Sequence, residues 1–384
     1  MLTRKRTILG KIETTYGQDP TPSGASNAIL VSNINPTPQE TEMADRNLIR
    51  PHLGSSEQLP VAIHSMVEFD VEVAGSGTAG VAPAYGPLLR ACAFAETILA
   101  AAVTGTAQAG GASVVTLAAG ASAVDNFYRS LTIRTTGGTG SGQSRVIASY
   151  VGATKVATVS EAWTTPPDAT TTYSIDAQVV YAPVSSGFES VTLHLNIDGV
   201  LHKMTGARGT VSFDLTAKKI PVMKFKFTGL YVAVIDGAAP TVVYSAYQKP
   251  VPVNGVNTTG LTLLGYAGAV LSQLSFDMAN SVVFRSLVGA ESVLITDRKP
   301  AGNITMEAVA VATKDWWTAV KNATTGALSV TQGTAAGNKV KFDSPAAQLT
   351  KPTYQDMDGV QMLQAGMVYV PGVNGNDEFT ISVQ

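Results

Sequence analysis

The sequence predicts a mainly β protein with a minor helical content, in which two similar strand-rich units follow one another and a small all-β segment interrupts the first. Three observations lead to this prediction. Apolar and polar residues alternate along "VEFDVEV" at 67–73, as in a half-buried strand. The stretch "GTVSFDLTA" from Gly209 is nearly repeated as "NKVKFDSPA" from Asn338. Short Thr/Val segments between glycines fill residues 105–176.

The composition favours a protein that associates with itself. A chain of 384 residues exceeds the usual length of one domain and suggests two or three. Apolar residues make up 45%, enough to fill a core, but charged residues make up only 14%, against roughly 25% in ordinary soluble domains. A surface with so little charge is poorly protected against association. The net charge of −2 argues against tight nucleic-acid binding, which needs clustered Lys and Arg.

The single cysteine, Cys92, excludes an internal disulfide and suits a reducing cytoplasm. Because its neighbours are apolar, we expect it to be a small buried hydrophobic residue. The basic start "MLTRKRTILGKIE" lacks the apolar run of a signal peptide, and no segment approaches the ~18 apolar residues of a membrane span. The sequence therefore predicts neither a signal peptide nor a membrane anchor.

The first unit begins with irregular, Pro-rich sequence over residues 1–60, which contains one short predicted strand at 28–34. The alternating strand at 67–73 follows. A glycine-rich loop then leads into "PAYGPLLRACAFAETILAAAV". A helix is predicted in this stretch because apolar residues recur at helical spacing, at Leu88, Cys92, Ala95 and Leu99.

We interpret residues 105–176 as a compact all-β insertion, after which the first unit resumes with a hairpin. Asp198-Gly199 is a residue pair that favours a two-residue turn. The implied register pairs Leu193 with Met204, Leu195 with His202 and Ile197 with Val200. The predicted domains are a discontinuous first domain (1–104 and 177–245), the insertion (105–176) and a second domain (246–384).

The second unit follows the same order of elements as the first. "LIRPHLGSSEQLP" at 48–60 aligns with "VFRSLVGAESVLI" at 283–295, which places Arg50 over Arg285. The strand "VEFDVEV" is then matched to "MEAVAVA", which begins at Met306. A helix is predicted in "TKDWWTAVKNA", with one of its two tryptophans packed inward and the other near an interface. The repeated "VxFD" strand completes the unit.

No catalytic, metal-binding or cofactor-binding constellation is predicted, so we expect a protein that is not an enzyme. "GSGTAG" at Gly75, Gly77 and Gly80 has the form of a dinucleotide-binding turn, but two prolines separate it from the predicted helix and no βαβ pattern follows. The four histidines do not converge on one site, since His194 and His202 fall on opposite faces of the predicted hairpin. A nucleotide-dependent enzyme remains a remote alternative.

The chain resembles the major tail tube proteins of bacteriophages with long, non-contractile tails (siphophages). The resemblance rests on "GKIETTYGQDPTPSGASNAIL", "DRNLIRPHLGSS", "NIDGVLHKMTGARGTVSFDL" with "IPVMKFKFTGLY", and "TGALSVTQGTAAGNKVKFDSPAAQLTKPTY". It implies tandem β-sandwich domains with flanking helices, assembled into rings whose inner strands form one barrel. Such rings stack into a tube that encloses the tape measure protein and conducts DNA into the host. Tail terminator and tail-tip proteins would close its ends, and the tube would assemble in the host cytoplasm.

The resemblance, combined with the internal repeat, predicts how the rings are built. Tail tubes of this family are generally sixfold, so a chain with two tube domains would close a ring as a trimer with approximate sixfold symmetry. The insertion resembles a small β module of phage structural proteins, and we expect it on the outer surface as a candidate for host contact. A capsid-decoration protein or an adhesin is the alternative, because it would share the Thr/Gly-rich β sequence.

Two long segments, 36–58 and 279–300, are expected to be loops that contact the neighbouring ring or subunit. They occupy corresponding places in the two units and carry charges that are otherwise sparse in this chain. The predicted contact residues are Arg46, Arg50, Glu57, Arg285, Glu291 and Arg298.

Overall fold

The computed structural model describes residues 2–372 and 375–384, and it is predominantly β with two short helices. The first elements are β1 (Arg6–Ile12), β2 (Ala28–Ile29), β3 (Ser32–Asp45), β4 (Gln58–Glu72), α1 (Gly86–Arg90) and β5 (Phe94–Leu99). Then come β6 (Val103–Thr106), β7 (Ala109–Gly111), β8 (Val114–Thr116), β9 (Thr132–Gly137), β10 (Ser144–Val151), β11 (Val156–Val159) and β12 (Thr172–Ile175).

The remaining elements complete the first half and build the second. The first half ends with β13 (Gln178–Pro183), β14 (Val191–Ile197), β15 (Val200–Thr216), β16 (Val222–Tyr231) and β17 (Ile235–Asp236). The second half begins with β18 (Thr258–Leu263), β19 (Leu271–Asp277), β20 (Asn280–Leu287), β21 (Ala290–Arg298), β22 (Ala301–Glu307) and α2 (Trp316–Lys321). It ends with β23 (Thr325–Gln332), β24 (Val340–Met357), β25 (Val360–Tyr369) and β26 (Thr380–Val383).

Eight strands form one continuous antiparallel sheet, which we call the long sheet. Its order is β3-β4-β16-β15-β19-β22-β25-β24. The first four strands come from the first half of the chain and the last four from the second. Because side chains alternate along a strand, Phe69 and Phe225 point into the core while Glu68 and Lys224 face solvent. The long sheet therefore has one apolar and one polar face.

A second layer of strands packs on the apolar face of the long sheet. β15 and β24 belong to both layers: the first part of β15 pairs with β14, and the first part of β24 pairs with β23 and β26. β13 pairs with β26 and β5 and extends this layer. Where the layers meet, an aromatic cluster forms from Phe213, Phe276, Phe342 and Phe379. This cluster joins the two halves through a common core.

The segment between β5 and β13 forms a sheet of its own, in the order β6-β12-β9-β10-β11-β8-β7. It has a separate apolar core, in which Tyr150, Tyr173 and Ile147 are buried. β6 and β12 pair with each other, so the two ends of the segment lie side by side where it leaves the second layer.

The two halves repeat one topology around the long sheet. In the first, β4 and α1 precede the meander β14-β15-β16, and β16 returns beside β4. In the second, β22 and α2 precede the meander β23-β24-β25, and β25 returns beside β22. The two halves are aligned at the ends of β4 and β22, which both finish in a glutamate, Glu72 and Glu307. One residue before these ends, Val71 lies opposite Met223, and Met306 lies opposite Leu363, so Met223 and Leu363 correspond.

The hairpin predicted at Asp198-Gly199 is confirmed in every residue pair, including Leu193 with Met204 and Leu195 with His202. Cys92 is fully buried, as expected, and burial raises the pKa of its thiol. In α2, Trp316 is buried while Trp317 remains partly exposed, also as expected.

The long helix predicted through Leu88, Cys92, Ala95 and Leu99 is wrong beyond its first turn. Only Gly86–Arg90 is helical, and Phe94–Leu99 is a strand that pairs with β13. The chain breaks between them at Ala93, whose φ is +65°. Pairing with β13, a strand that follows only after the whole inserted segment, overrides the helical spacing of the apolar residues here.

Two further predictions are corrected, one about a strand of the second unit and one about the segments expected to be loops. The strand matched to "MEAVAVA" lies earlier, at Ala301–Glu307, and residues 308–312 follow it without strand structure. The segments expected to be loops are largely hairpins: 36–45 belongs to β3, and 280–298 forms the β20–β21 ladder. Both segments pair with a neighbouring strand of the chain although neither shows a clear alternation of apolar and polar residues, so the local pattern did not indicate strands.

The repeated motif does not mark equivalent positions in the two halves. Residues 211–214 lie near the end of β15, whereas residues 340–343 begin β24. Strand partners instead match Phe213 with Tyr354, because they lie opposite Met223 and Leu363 respectively. The two motif phenylalanines, Phe213 and Phe342, pack on each other with ring centroids 5.3 Å apart.

Candidate intersubunit interface

The long sheet ends in two edges that are unpaired among the described residues. One edge is β3, which pairs only with β4. The other is the last part of β24, residues 349–357, which pairs only with β25. An edge strand presents free backbone N–H and C=O groups and is the usual place for another strand to be added.

At the junction between β15 and β19, the two halves of the chain pair through the strands that correspond to the two open edges. Phe213 lies opposite Phe276, and Ser212 and Asp214 lie opposite Asp277 and Ser275. This pairing leaves Phe213 only 1% exposed. The junction therefore combines a backbone ladder with the burial of one aromatic ring from each strand.

The β24 edge exposes the side chains that the internal junction buries. Tyr354, which corresponds to Phe213, is 55% exposed, and its neighbours Thr353 and Gln355 are also exposed. Trp317 of α2 packs on one side of Tyr354, with ring centroids 5.1 Å apart. Met357 and Val360, at the adjacent Asp358-Gly359 turn, are further exposed apolar residues. An apolar strip thus follows an open strand edge.

β3, the edge strand of the first half, corresponds to β19 of the second half. Asn35 lies opposite Glu68 in β4, and Ser275 lies opposite Asn303 in β22, at matching positions. Next to Asn35, Pro36 occupies the place that Phe276 holds in β19. Proline cannot donate a backbone hydrogen bond and is found in sheets mainly on edge strands, which discourages unspecific pairing.

The solvent face of the long sheet carries more carboxylates than cations. Lys226 forms an ion pair with Glu68 at 2.9 Å, and Lys224 lies between Asp70 and Ser212. The carboxylates on this face are those of Glu68, Asp70, Glu72, Asp214, Asp277 and Glu307. Against them stand Lys224 and Lys226, so the face is acidic.

The predicted contact residues lie at two hairpin tips, with one exception. Arg46 and Glu57 form an ion pair where β3 and β4 diverge, and Arg50 is exposed in the turn between these strands. Arg285 and Glu291 are exposed on β20 and β21. The turns of both hairpins carry fully exposed apolar residues, namely Ile49, Leu53 and Val288.

The remaining member of that set, Arg298, is bound within its own chain. Its side chain is largely buried, and its guanidinium donates hydrogen bonds to Glu378, to the carbonyl of Val184 and to Asn376. A guanidinium committed in this way fixes the end of β21 to the C-terminal strand region. We do not propose it as a subunit contact.

Comparison with known protein families supplies the decisive observation. Residues 3–365 match the family model for phage tail tube proteins, which covers nearly the whole chain. The chain belongs to the phage tail tube protein family. Comparison with curated proteins returned no match. Membership of this family makes the chain a structural component of the virion tail and implies assembly into a tube.

The glycines of "GSGTAG" have a structural explanation in this tail tube chain. The amide of Gly75 donates to the side chain of Asn338, and the amide of Gly77 donates to the carbonyl of Gly337. A Cβ at Gly75 would lie 2.0 Å from that carbonyl. The motif therefore allows two backbone segments, one from each half, to approach closely.

His194 takes part in a small polar cluster rather than a metal site. Its Nε2 lies 3.0 Å from Asp19, which also accepts a hydrogen bond from Lys203 at 3.0 Å. Burial is the largest influence on Asp19 and would raise its pKa, but the hydrogen bonds from Lys203, the amide of Thr21 and His194 outweigh it and lower the pKa. Burial lowers the pKa of His194. Within residues 2–372 and 375–384, no cluster of three or more His, Cys, Asp or Glu is placed to hold a metal ion.

No helix in the described part of the tail tube chain is long and apolar enough to cross a membrane.

Neither the two open sheet edges nor the exposed position of Tyr354 was predicted from the sequence. One local signal was present, since Asp358-Gly359 is the same kind of turn as Asp198-Gly199 and marks the hairpin whose first strand is the open edge.

Proposed function

We propose that this chain closes into rings of three copies, which stack into the tail tube of a phage with a long, non-contractile tail. One observation carries the proposal. The long sheet consists of two equivalent four-stranded units joined by strand pairing, and its two open edges correspond to the two strands of that junction. A closed ring requires the contact between chains to imitate the contact between halves.

Ring size follows from the internal repeat. Each chain supplies two of the six positions expected in this family, so three chains complete a ring with true threefold and approximate sixfold symmetry. Eight strands from each of three chains make a barrel wide enough to enclose an open channel, which a single sandwich cannot do. The corresponding domains are 1–104 with 177–245 for the first position and 246–384 for the second.

The polar face of the long sheet lines the lumen in this arrangement, where it contacts the tape measure protein and later the transiting DNA. A conduit must let DNA slide, whereas clustered Lys and Arg would hold its phosphates. The excess of carboxylates on this face supports such a role, because like charges keep the phosphate backbone from adhering.

The inserted segment, 105–176, then projects from the outer wall. Its flanking strands β5 and β13 belong to the second layer, on the side of the core away from the acidic face. Three projections per ring result, and we propose them as candidates for contact with the host surface. An attachment through two adjacent strand ends leaves the tube domains undisturbed.

Contacts between rings are assigned to the two hairpin tips. Arg46, Arg50 and Glu57 on one tip, and Arg285 and Glu291 on the other, supply charges next to the exposed apolar turns. Tail terminator and tail-tip proteins cap the finished tube, which assembles in the host cytoplasm.

Electron microscopy of the purified, concentrated protein tests this function. Rings or tubes with threefold symmetry are expected, without any added enzyme substrate or cofactor. A chain that stays monomeric at high concentration in every salt condition contradicts the proposal. Isolated particles that bind capsids or cells instead would favour a decoration protein or an adhesin.

A further inference from the structure

We propose that the β24 edge of one chain pairs with the β3 edge of the next in a defined register: Thr353 opposite Thr37, Tyr354 opposite Pro36, and Gln355 opposite Asn35. This inference rests on the proposed ring assembly and specifies which atoms form it. The partner is a second copy of this chain, because the chain itself contains the template for the contact.

The register is transferred from the internal junction through matched strand partners. In the first half, Ser212 of β15 lies opposite Lys224 of β16, which lies opposite Asp70 of β4. In the second half, Thr353 of β24 lies opposite Gln364 of β25, which lies opposite Thr305 of β22. Asp70 and Thr305 hold equivalent positions in their strands, because each lies two residues before the glutamate that ends the strand (Glu72 and Glu307). Thr353 in β24 therefore corresponds to Ser212 in β15.

The position on β3 that corresponds to Asp277 of β19 is found in the same way. Asp277 lies opposite Ala301 in β22, and Thr37 lies opposite Met66 in β4. Ala301 and Met66 both stand six residues before the glutamate that ends their strand, at Glu307 and Glu72. Thr37 thus corresponds to Asp277, and the pair Ser212–Asp277 inside the chain becomes Thr353–Thr37 between chains.

Burial supports the same pairing independently of the register. Within the chain, the ring of Phe213 is covered by β19, whereas the ring of Tyr354 has α2 on one side and no strand beyond it among the described residues. If β3 of a neighbouring chain paired with β24 as β19 pairs with β15, the apolar side chain of Pro36 would cover the exposed ring of Tyr354. The pairing would also continue the backbone ladder from β24 onto β3, in which Pro36 can accept but not donate a hydrogen bond.

Disulfide trapping in assembled tubes tests the register. Directly opposite residues have Cβ atoms about 4.5–5.5 Å apart, close to disulfide geometry, whereas diagonal neighbours are about 7–8 Å apart. We expect Thr37→Cys/Thr353→Cys to give covalent dimers and trimers on mild oxidation. Cys92 is fully buried and contributes no background.

Three controls accompany the experiment. Each single cysteine variant should give no ladder of covalent oligomers. The diagonal pair Thr37→Cys/Gln355→Cys should react much less than the direct pair. Ser212→Cys/Asp277→Cys is the matched internal pair, and it should form a disulfide without any increase in mass.

The possible failures are distinguishable. If tubes form but the diagonal pair reacts and the direct pair does not, the register is overturned while the tail tube function stands. If tubes form and no β3–β24 pair reacts although the internal pair does, the proposed edge contact is wrong. If the unmodified chain forms no rings or tubes at all, the proposed function itself fails.

Discussion

Phe213 and Tyr354 occupy corresponding positions in the two halves, yet one is buried inside the chain and the other is open to solvent. Their substitutions should therefore separate folding from assembly. Phe213→Ala should lower the free energy of unfolding by about 3–5 kcal/mol, the usual cost of removing a buried aromatic ring. Tyr354→Arg should change it by only about 0.5 kcal/mol, as at most surface sites, while preventing ring closure by placing a charge in the contact.

Urea unfolding of the unassembled chain, together with electron microscopy, measures both effects. Tyr354→Phe is the matched control and should assemble normally, since it keeps the ring. Normal tubes from Tyr354→Arg would show that this residue does not lie in the contact between chains.

The cluster of Asp19, His194 and Lys203 predicts that stability falls as pH is lowered. The folded pKa of Asp19 lies below its ordinary value of 3.8, so its stabilising contribution is present above that value and disappears as pH falls through the folded pKa. The folded pKa of His194 lies below 6.5, so acid below that pH protonates the unfolded chain preferentially.

Unfolding experiments between pH 3 and pH 8 on the wild type and Asp19→Asn test this dependence. The variant should be less stable above about pH 4, and the difference should shrink at lower pH as the wild-type carboxylate is neutralised. A difference that stays constant across the whole range would exclude Asp19 as the titrating group.

At the scale of single elements, the sequence predicted structure where the signal is local. The Asp198-Gly199 hairpin was predictable to the residue because turn chemistry and alternation agree there. The helix after Leu88 was not, because the pairing of Phe94–Leu99 with β13 depends on a partner brought back only after the insertion. Local propensity yields to such long-range pairing.

The candidate site could be predicted only in part. The hairpin tips carry charges that stand out in a poorly charged sequence, whereas the sheet edges are defined by the absence of a neighbouring strand. That absence depends on the order of all eight strands, which no sequence window contains. For Arg298 the sequence suggested a contact between subunits that the structure does not support, because its guanidinium is largely buried in an ion pair with Glu378 of the same chain.

The inserted segment yields a prediction about its independence. Leu99 and Gln178 are paired neighbours in β5 and β13, just outside the segment, so a short Gly/Ser bridge can replace residues 105–176 without moving these attachment strands. We expect the shortened chain to fold and form tubes that lack projections, because none of the proposed contacts lies in the segment. Electron microscopy checks this, and a folded chain that cannot assemble would give the segment a structural role.

At the scale of the assembled tube, the proposed position of the acidic face in the lumen predicts how charge reversal affects DNA passage. Glu72 and Glu307 are exposed at corresponding ends of β4 and β22. Glu72→Lys/Glu307→Lys would place six lysines in each three-chain ring. Phage carrying this variant should assemble tails but eject DNA more slowly, with a delay that weakens as salt increases because the added contacts are with phosphates.

Glu72→Gln/Glu307→Gln is the matched control, since it removes the same charges without adding cations, and it should eject DNA at nearly the wild-type rate. Equal ejection rates for the lysine and glutamine variants at low salt would mean that these residues do not face the DNA.

The number of chains in one ring tests the proposed assembly most directly. Each chain contains two equivalent four-stranded units joined by the β15–β19 ladder, and the same ladder is expected between β24 and the next β3. Cryo-electron microscopy of tubes, or the mass of single rings, should therefore give three chains per ring, true threefold symmetry and three outward projections. Six chains per ring would contradict this arrangement and show that the internal junction does not substitute for a contact between subunits.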